Sequence, residues 1–460
     1  MFIRRFYDDR LAQASYMIGC QRTGEAIVID PARDIRQYVD AAPAEGLRIT
    51  QVTETHIHAD FVSGARELAH ATGAQLMLSG EGGPDWQYTY AASDGAKLLH
   101  DRDVIVMGGV RLDAWHTPGH TPEHLAFIVT DLARSAEPVA MVSGDFVFVG
   151  DVGRPDLLEL AANVSGNKEE SAVRLFHSLK RLHSLPDHLQ VWPGHGAGSA
   201  CGKALGAMPT STLGYERLTN WAFGVNMEPA FVTTVLDGQP TPPSYFARMK
   251  RVNRDGPPVL GARPGLPEVD RDAVTHGLKS GSVVLDVRPK AEQAAGHLAG
   301  TLGIPLIKSF TTWAGWLVPG DATVILIAGG ADVAATARDA LASIGIDNVI
   351  GYAGPSVISG PTVRTAQPGD INNAGAMQAD GRHVLDIREA NEYAAGHIPG
   401  AEHHPLGTLE SSVANLDRST PLAVHCQGGT RSAIGTSVLE RMGFTDVIDL
   451  TAGFGGWRKE

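Results

Sequence analysis

Histidines and an aspartate stand at alternate positions in the segment THIHADF, a pattern typical of metal-binding loops. They are His56, His58 and Asp60, and each imidazole or carboxylate can supply one ligand atom. The next residue is Phe61, whose side chain cannot coordinate a metal. The run of possible ligands at alternate positions therefore ends at Asp60.

Three more segments place a possible ligand where an apolar stretch ends. HTPGHT contains His120, SGD ends with Asp145, and PGH ends with His195. Ligand sites of α/β proteins usually lie at the carboxyl ends of strands. We therefore expect these three side chains to meet the THIHADF segment at one site.

The donor types leave the identity of the metal open. His56, His120 and Asp145 offer two imidazoles and one carboxylate, and such a set with open positions suits non-haem Fe(II) and O2 chemistry. If His58 also binds, the set is more typical of a zinc site. The residues alone do not choose between these two metals.

The segment HCQGGTRSAIG indicates a second kind of chemistry, because it joins an apolar strand to an apolar helix. Four residues separate Cys426 from Arg431, and successive backbone N–H groups in so short a loop point inward. The N-terminus of the following helix adds a partial positive charge. Both effects stabilise an anionic sulfur, so we expect Cys426 to be a reactive thiolate.

The elements that position Cys426 occur twice in the chain. Residues 283–306 align without gaps with residues 383–406, and each segment contains an LD(V/I)R strand followed by a GH loop. Ala328 stands in the first copy where Cys426 stands in the second, and the loop arginine is not kept. Because a methyl group cannot carry sulfur, we expect the first copy to be catalytically inactive.

These patterns divide the chain of 460 residues, a length consistent with about three domains. Proline-rich stretches interrupt it after the first half and indicate a linker. We expect a metal-binding α/β domain over 1–238, a linker over 239–264, the inactive copy over 265–356 and the active copy over 370–460.

Composition and charge argue against two classes of partner. The net charge is −13 and the chain has no run of Lys or Arg, whereas nucleic-acid binding depends on clustered positive charge. No apolar stretch approaches the ~20 residues that span a bilayer, and the N-terminus has no signal-peptide pattern. Three scattered cysteines form no disulfide framework, so we expect a cytoplasmic protein with reduced thiols and no membrane partner.

The ordered segments HADFVSG, HTPGHTPEH and GDFVFVGDVGRPDL resemble those of the metallo-β-lactamase fold family, and within it the persulfide dioxygenases. The resemblance implies an αββα sandwich that binds one Fe(II) per chain through the two imidazoles and the carboxylate named above. His58, Asp60 and His195 would then orient ligands or water by hydrogen bonds. The family's usual HADH is HADF here, a departure at a position that a single iron does not need. The implied reaction oxidises a thiol persulfide, RSSH, with O2 and water to sulfite and thiol.

The segments LDIRE, GHIPGA and CQGGTR resemble those of the rhodanese sulfurtransferases. This resemblance implies two rhodanese-like α/β domains after the sandwich. In the second, Cys426 would accept sulfane sulfur within a loop that Arg431 closes, and would pass the sulfur to a nucleophile. Asp386 and Arg388 would buttress the fold.

Two further groups lie close in sequence to the predicted metal ligands. Cys201 follows His195 by six residues in a stretch of small residues. It is expected either to hold a persulfide beside the metal or to be a small buried residue. Arg154 and Asp156 are expected to form a structural ion pair near the site.

Together the two resemblances imply a fused persulfide dioxygenase and sulfurtransferase of sulfide detoxification, which yields thiosulfate. Its partners would be a low-molecular-weight thiol persulfide, O2 and sulfite. Related enzymes form dimers or tetramers, so we expect a homo-oligomer. Two alternatives stay open: a zinc thioester hydrolase of the glyoxalase II type with accessory rhodanese domains, and a non-catalytic persulfide-sensing module.

Overall fold

The chain forms two compact units in the computed structural model. The model describes residues 1–157, 167–203, 205–361 and 363–458. Unit 1 comprises Met1–Arg263 with Ala342–Gly345, and unit 2 comprises Pro264–Leu341 with Ile346–Glu460. None of the helices in the described ranges is both long and apolar enough to cross a membrane.

Unit 1 contains two six-stranded sheets in which neighbouring strands are consecutive in the chain. The first sheet has the order β1 (Phe2–Asp8), β2 (Gln13–Cys20), β3 (Glu25–Ile29), β4 (Arg48–Thr53), β5 (Gln75–Ser79) and β6 (Lys97–Leu99). The second has the order β12 (Ser211–Thr212), β11 (Gln190–Pro193), β10 (Ala140–Gly144), β9 (Leu125–Asp131), β8 (Val110–His116) and β7 (Val104–Met107).

An apolar cluster with side chains from both sheets forms the centre of unit 1. Residues two apart on a strand point to the same face, so Tyr16 and Ile18 of β2 and Phe127 of β9 enter this cluster. Tyr16 stacks on Trp192 of the second sheet, with ring centroids 5.8 Å apart. Met17, which lies between Tyr16 and Ile18 in the sequence, points to the opposite face and belongs to a different cluster.

Helices cover the outer faces of both sheets in unit 1. They are α1 (Arg36–Ala44), α2 (Ala65–Thr72), α3 (Lys168–Arg181), α4 (Leu213–Thr219), α5 (Trp221–Gly224), α6 (Glu228–Leu236) and α7 (Phe246–Asp255). Side chains of α1 and α2 share a cluster with the outer face of the first sheet, and those of α3 with the second. The expected αββα sandwich is therefore confirmed. The stretch 239–264, which the prolines indicate as a linker, includes α7 and lies in unit 1 up to Arg263.

Unit 2 contains two parallel sheets of matching order, as the internal repeat predicts. The first copy has the order β15 (Leu302–Gly303), β13 (Val283–Asp286), β16 (Val324–Ile327) and β17 (Val349–Ala353). The second has the order β21 (Glu402–His403), β20 (His383–Asp386), β22 (Leu422–His425), β23 (Val447–Asp449) and β19 (Gln367–Pro368). A separate pair joins β14 (His297–Leu298) to β18 (Val363–Arg364).

The helices of unit 2 also follow the repeat. They are α8 (Arg271–Lys279), α9 (Lys290–Ala295), α10 (Phe310–Leu317), α11 (Ala331–Ala342), α12 (Ala374–Ala379), α13 (Ala390–Ala395), α14 (Leu409–Ser412), α15 (Thr430–Arg441) and α16 (Gly453–Gly456).

A buried ion pair recurs at the same place in each copy. Arg288 binds Asp286 at 2.6 Å in the first copy, and Arg388 binds Asp386 at 2.6 Å in the second. Each arginine also donates to the carbonyl of a glycine eight residues further on. These contacts join the end of a strand to the end of the next helix, which is the buttressing role expected for Asp386 and Arg388.

Candidate active site

The structure brings three predicted metal ligands together in unit 1. His56, His120 and Asp145 are all buried, and each offers one ligand atom within 4.8 Å of the others. They come from the loops that follow β4 and β8 and from the end of β10. Three segments spread over 90 residues thus converge because their strands lie in the two facing sheets.

Hydrogen bonds fix the tautomers of both histidines. His120 Nδ1 lies 3.1 Å from the Arg154 carbonyl, which can only accept, so Nδ1 carries the proton and Nε2 keeps its lone pair. Thr55 Oγ1 donates to Asp30 and therefore accepts from His56 Nδ1 at 2.9 Å. Burial lowers the pKa of both His56 and His120. Both rings are therefore neutral at pH 7, the form that binds metals.

The backbone of Asp145 is held by a neighbouring histidine, and its carboxylate faces the other predicted ligands. Its backbone N–H donates to His124 Nε2 at 3.1 Å, and His124 in turn bonds Thr117 through Nδ1 at 2.8 Å. Both carboxylate oxygens are buried and have no hydrogen-bond partner among the described residues. His120 Nε2 lies 3.4 Å from one of these oxygens, a distance that leaves room for a cation. An unpaired buried carboxylate is costly, so this site fits a metal ion.

A second group of donors lies beside the first. Asp60, His195 and Cys201 are buried, with ligand atoms within 4.8 Å of one another. His195 Nδ1 bonds the Ala12 carbonyl at 3.1 Å, so Nε2 faces Asp60 at 3.4 Å and Asp145 at 3.5 Å. Burial, together with the charges of Asp60 and Asp145, raises the pKa of the Cys201 thiol. Cys201 is thus close to the predicted metal ligands and favours its protonated form.

Phe61 stands where the resemblance implies a histidine that would bind a second metal. Its ring is fully buried and packs on His58 with centroids 4.4 Å apart. His58 Nε2 bonds Asp30 at 3.1 Å. Burial lowers the pKa of His58, but the charge and hydrogen bond of Asp30 outweigh it and raise the pKa to about 9. His58 lies outside the three-residue group, and its Nδ1 has no hydrogen-bond partner among the described residues.

Asp30 is a site residue that the sequence analysis missed. It is buried and accepts from the Thr55 backbone at 2.6 Å, the Thr55 hydroxyl at 2.9 Å and His58 at 3.1 Å. Its φ of +53° lies in the left-handed region, a conformation that costs about 1–3 kcal/mol for a non-glycine residue. The only signal in the sequence is an aspartate that ends the strand AIVID before a proline.

The loop that carries His56 and His58 is held by two other residues to which the sequence analysis assigned no role. Glu123 accepts from the Ile57 backbone N–H at 2.7 Å. Asn253 of α7 donates to the carbonyls of His58 and Phe61, both at 2.7 Å. Because Asn253 lies some 190 residues further along the chain, only the tertiary fold could identify it.

Arg154 and Asp156 form the predicted ion pair, with nitrogen–oxygen distances of 2.9 and 2.6 Å. Arg154 is nevertheless buried and does more than pair. Its guanidinium donates to the Ala200 carbonyl at 3.0 Å, and its own carbonyl accepts from His120. It therefore joins the segment before Cys201 to one of the metal ligands.

The cysteine loop lies in unit 2, between β22 and α15. Cys426 is buried, and its Sγ accepts from the Gly429 N–H at 3.1 Å. Arg431, in the first turn of α15, bonds Glu392 through both terminal nitrogens at 2.5 and 2.7 Å. The sulfur of Cys426 is therefore hydrogen-bonded by a backbone N–H. Arg431 is instead paired with the Glu392 carboxylate.

The first copy has the same strand end without the sulfur. Ala328 follows β16 as Cys426 follows β22. In each copy this strand pairs in parallel with the strand that ends in the aspartate of the ion pair, Asp286 in β13 and Asp386 in β20. The structure therefore places Ala328 at the equivalent position, as the alignment predicts.

Comparison with known proteins supports this arrangement. Residues 8–195 match the model of the metallo-beta-lactamase superfamily, and residues 371–460 match the rhodanese-like domain. A crystal structure of a metallo-beta-lactamase from Staphylococcus aureus subsp. aureus COL is 42% identical, with a TM-score of 0.69, and the match covers 77% of this chain and 99% of that one. The chain belongs to the metallo-β-lactamase superfamily and carries a rhodanese-like domain at its C-terminal end.

Two kinds of curated relative match the first part of the chain. A hydroxyacylglutathione hydrolase of Polaromonas sp. is 34% identical over 183 residues, which is 39% of this chain and 61% of that protein. A mitochondrial persulfide dioxygenase of Bos taurus is 26% identical over 200 residues, or 42% of this chain and 68% of that protein. The fold and the rhodanese-like domain indicate an enzyme.

Proposed function

We propose that this protein is an Fe(II) persulfide dioxygenase coupled to a sulfurtransferase. The first reaction is RSSH + O2 + H2O → RSH + SO3²⁻ + 2H⁺. The observation that carries the proposal is the buried group of His56, His120 and Asp145, next to a packed Phe61 in place of a further histidine. The similarity to the bovine persulfide dioxygenase supports it.

The donor set suits one ferrous ion. Two neutral imidazoles and one carboxylate with open positions form the facial arrangement that non-haem Fe(II) oxygenases use, and when bound this iron would supply the activation of O2. Arg154 and Thr55 hold the proton on Nδ1 of the two histidines, so Nε2 is available to the metal. His124 accepts the Asp145 backbone N–H and so holds the main chain at this residue.

The surrounding residues can bind and orient the persulfide. His195 presents Nε2 between Asp60 and Asp145, and Cys201 lies in the same group. All of these side chains are buried. They therefore exclude bulk water from the reacting sulfur, which limits its release before oxidation is complete.

The rhodanese-like domain would transfer a second sulfur. Cys426 thiolate attacks the outer sulfur of a second RSSH, RS⁻ leaves, and a cysteine persulfide forms. Sulfite then attacks that outer sulfur, the S–S bond breaks and its electron pair returns to Cys426, while S2O3²⁻ leaves and the persulfide proton is released to solvent. The Gly429 N–H, 3.1 Å from Sγ, supports the negative charge on sulfur in both steps. We propose a low-molecular-weight thiol as the carrier and a cytoplasmic homo-oligomer as the working form.

A thioester hydrolase is the second candidate, since a hydroxyacylglutathione hydrolase is 34% identical over the same part of the chain. Hydrolysis by two metals requires a hydroxide held between them, and Phe61 counts against that arrangement. Metal loading separates the two functions. We expect the iron form to oxidise glutathione persulfide and the zinc form to be inactive towards it, with neither form cleaving lactoylglutathione. Rapid thioester cleavage by the zinc form would favour the hydrolase instead.

A further inference from the structure

The copy without a cysteine reaches the cysteine loop through one charged side chain. Lys290 stands at the start of α9 in the first copy, and its Nζ donates to the Gly429 carbonyl at 3.2 Å. Gly429 is also the residue whose N–H donates to Cys426 Sγ at 3.1 Å. One ammonium therefore contacts the same residue that holds the sulfur.

Gly429 has little freedom to move away from this contact. Its φ of +83° lies in the left-handed region that favours glycine. A Cβ at this position would collide with the Thr451 carbonyl and would lie 3.4 Å from Lys290 Nζ. The loop is thus confined between Thr451 on one side and Lys290 on another.

Two further polar contacts among the described residues join the first copy to α15, away from the loop. The Gly303 N–H donates to Ser437 at 3.0 Å, and His297 pairs with Glu440 at 2.7 Å. A helix rises about 1.5 Å per residue, so these two contacts lie roughly 10–15 Å along the helix from its first turn. They can hold the copies together when Lys290 is changed.

A cavity of about 240 Å³ adjoins Lys290, between α9 and α15. Side chains of both copies line it, including Ala294 and Ala433. Lys290 is therefore not a tightly packed core residue, and replacing its ammonium with an apolar group leaves the neighbouring packing in place. The aligned residue of the second copy is Ala390, so the repeat itself does not require a lysine here.

We propose that Lys290 is a positioning residue for sulfur transfer at Cys426. Its ammonium fixes Gly429, and with it the N–H that faces Sγ. The inactive copy would thus supply a part of the active loop that the second copy lacks. The inference rests on the proposed sulfurtransferase function and names a residue for it.

The test compares Lys290→Met with Lys290→Arg and with Lys308→Met, a matched change at an exposed lysine of the same copy. Alkylation of Cys426 by iodoacetamide in the full-length protein is followed by mass spectrometry, which separates it from the other two cysteines. We expect Lys290→Met to slow alkylation and thiosulfate formation by about tenfold at low salt, because charge-assisted hydrogen bonds are strong and salt screens them. Lys290→Arg should restore most of the rate, and Lys308→Met should match the wild type.

Equal rates for the wild type and Lys290→Met would overturn the proposal. So would equal losses in the methionine and arginine variants, since that result would assign Lys290 a merely structural role. A wild-type Cys426 that alkylates readily but never accepts sulfur would refute the proposed function. The alkylation rates would still decide the role of Lys290 in that case.

Discussion

Replacing Asn253 tests how the loop that carries His56 and His58 is held in place. Its side chain is buried, donates to the carbonyls of His58 and Phe61 at 2.7 Å, and accepts from the Ser63 N–H at 2.9 Å. Asn253→Ala removes all three bonds and leaves three backbone groups without a partner. At about 1 kcal/mol per bond, with a further penalty for unpaired buried groups, we expect a loss of about 3–5 kcal/mol.

This loss should be visible without abolishing the fold, because domains have about 5–15 kcal/mol of stability. For a unit of this size it corresponds to a fall in Tm of roughly 10 °C. The iron content after dialysis should fall too, since His56 and His58 belong to the released loop. Arg251→Ala, at an exposed position of the same helix, is the matched control and should change neither value.

The reasoning would be refuted by an Asn253→Ala protein with the Tm and iron content of the wild type. That result would mean that water or neighbouring groups replace the side chain fully. A lower Tm with unchanged iron content would show that α7 stabilises the unit without positioning the metal ligands.

Two further predictions concern the same loop. Phe61→His should raise the metal content from about one towards two equivalents per chain, because it restores a donor beside Asp60 and His195; elemental analysis after loading measures this, and an unchanged content would contradict it. In the metal-free protein, protonated His58 should stabilise unit 1, because its pKa is raised from the ordinary 6.5 to about 9. This stabilisation should be complete below pH 6.5 and should be lost as the pH rises through about 9. Thermal unfolding between pH 6 and 10 should show that decline in the wild type but not in Asp30→Asn, and a parallel decline in both would assign it to other groups.

The convergence of the candidate ligands could be predicted because they follow strands. His56, His120 and Asp145 each end an apolar stretch, and strand ends converge in a layered α/β fold whatever their distance in sequence. The repeat was equally accessible. A gap-free alignment relates residues 283–306 to 383–406, and the equivalent later strands VILI and LAVH then place Ala328 opposite Cys426. The structure agrees with both predictions.

The residues that hold these ligands could not be predicted, for a physical reason. Asn253 contacts the loop of His58 and Lys290 contacts the cysteine loop, each from far away in sequence, so no local period or spacing marks them. Asp30 adopts a left-handed backbone conformation, and its carboxylate accepts three hydrogen bonds from residues about 25 positions away in the chain. The prolines around α7 indicated a linker, whereas the contacts of Asn253 make that helix part of unit 1.

The central claim is most directly tested by oxygen consumption of the iron-loaded protein with glutathione persulfide, with sulfite and thiosulfate quantified. The wild type, His120→Ala and Cys426→Ser should be compared in parallel. The account predicts O2 uptake and thiosulfate from the wild type, no uptake from His120→Ala, and sulfite with little thiosulfate from Cys426→Ser. Absence of persulfide-dependent O2 uptake in an iron-replete wild type would contradict the dioxygenase assignment.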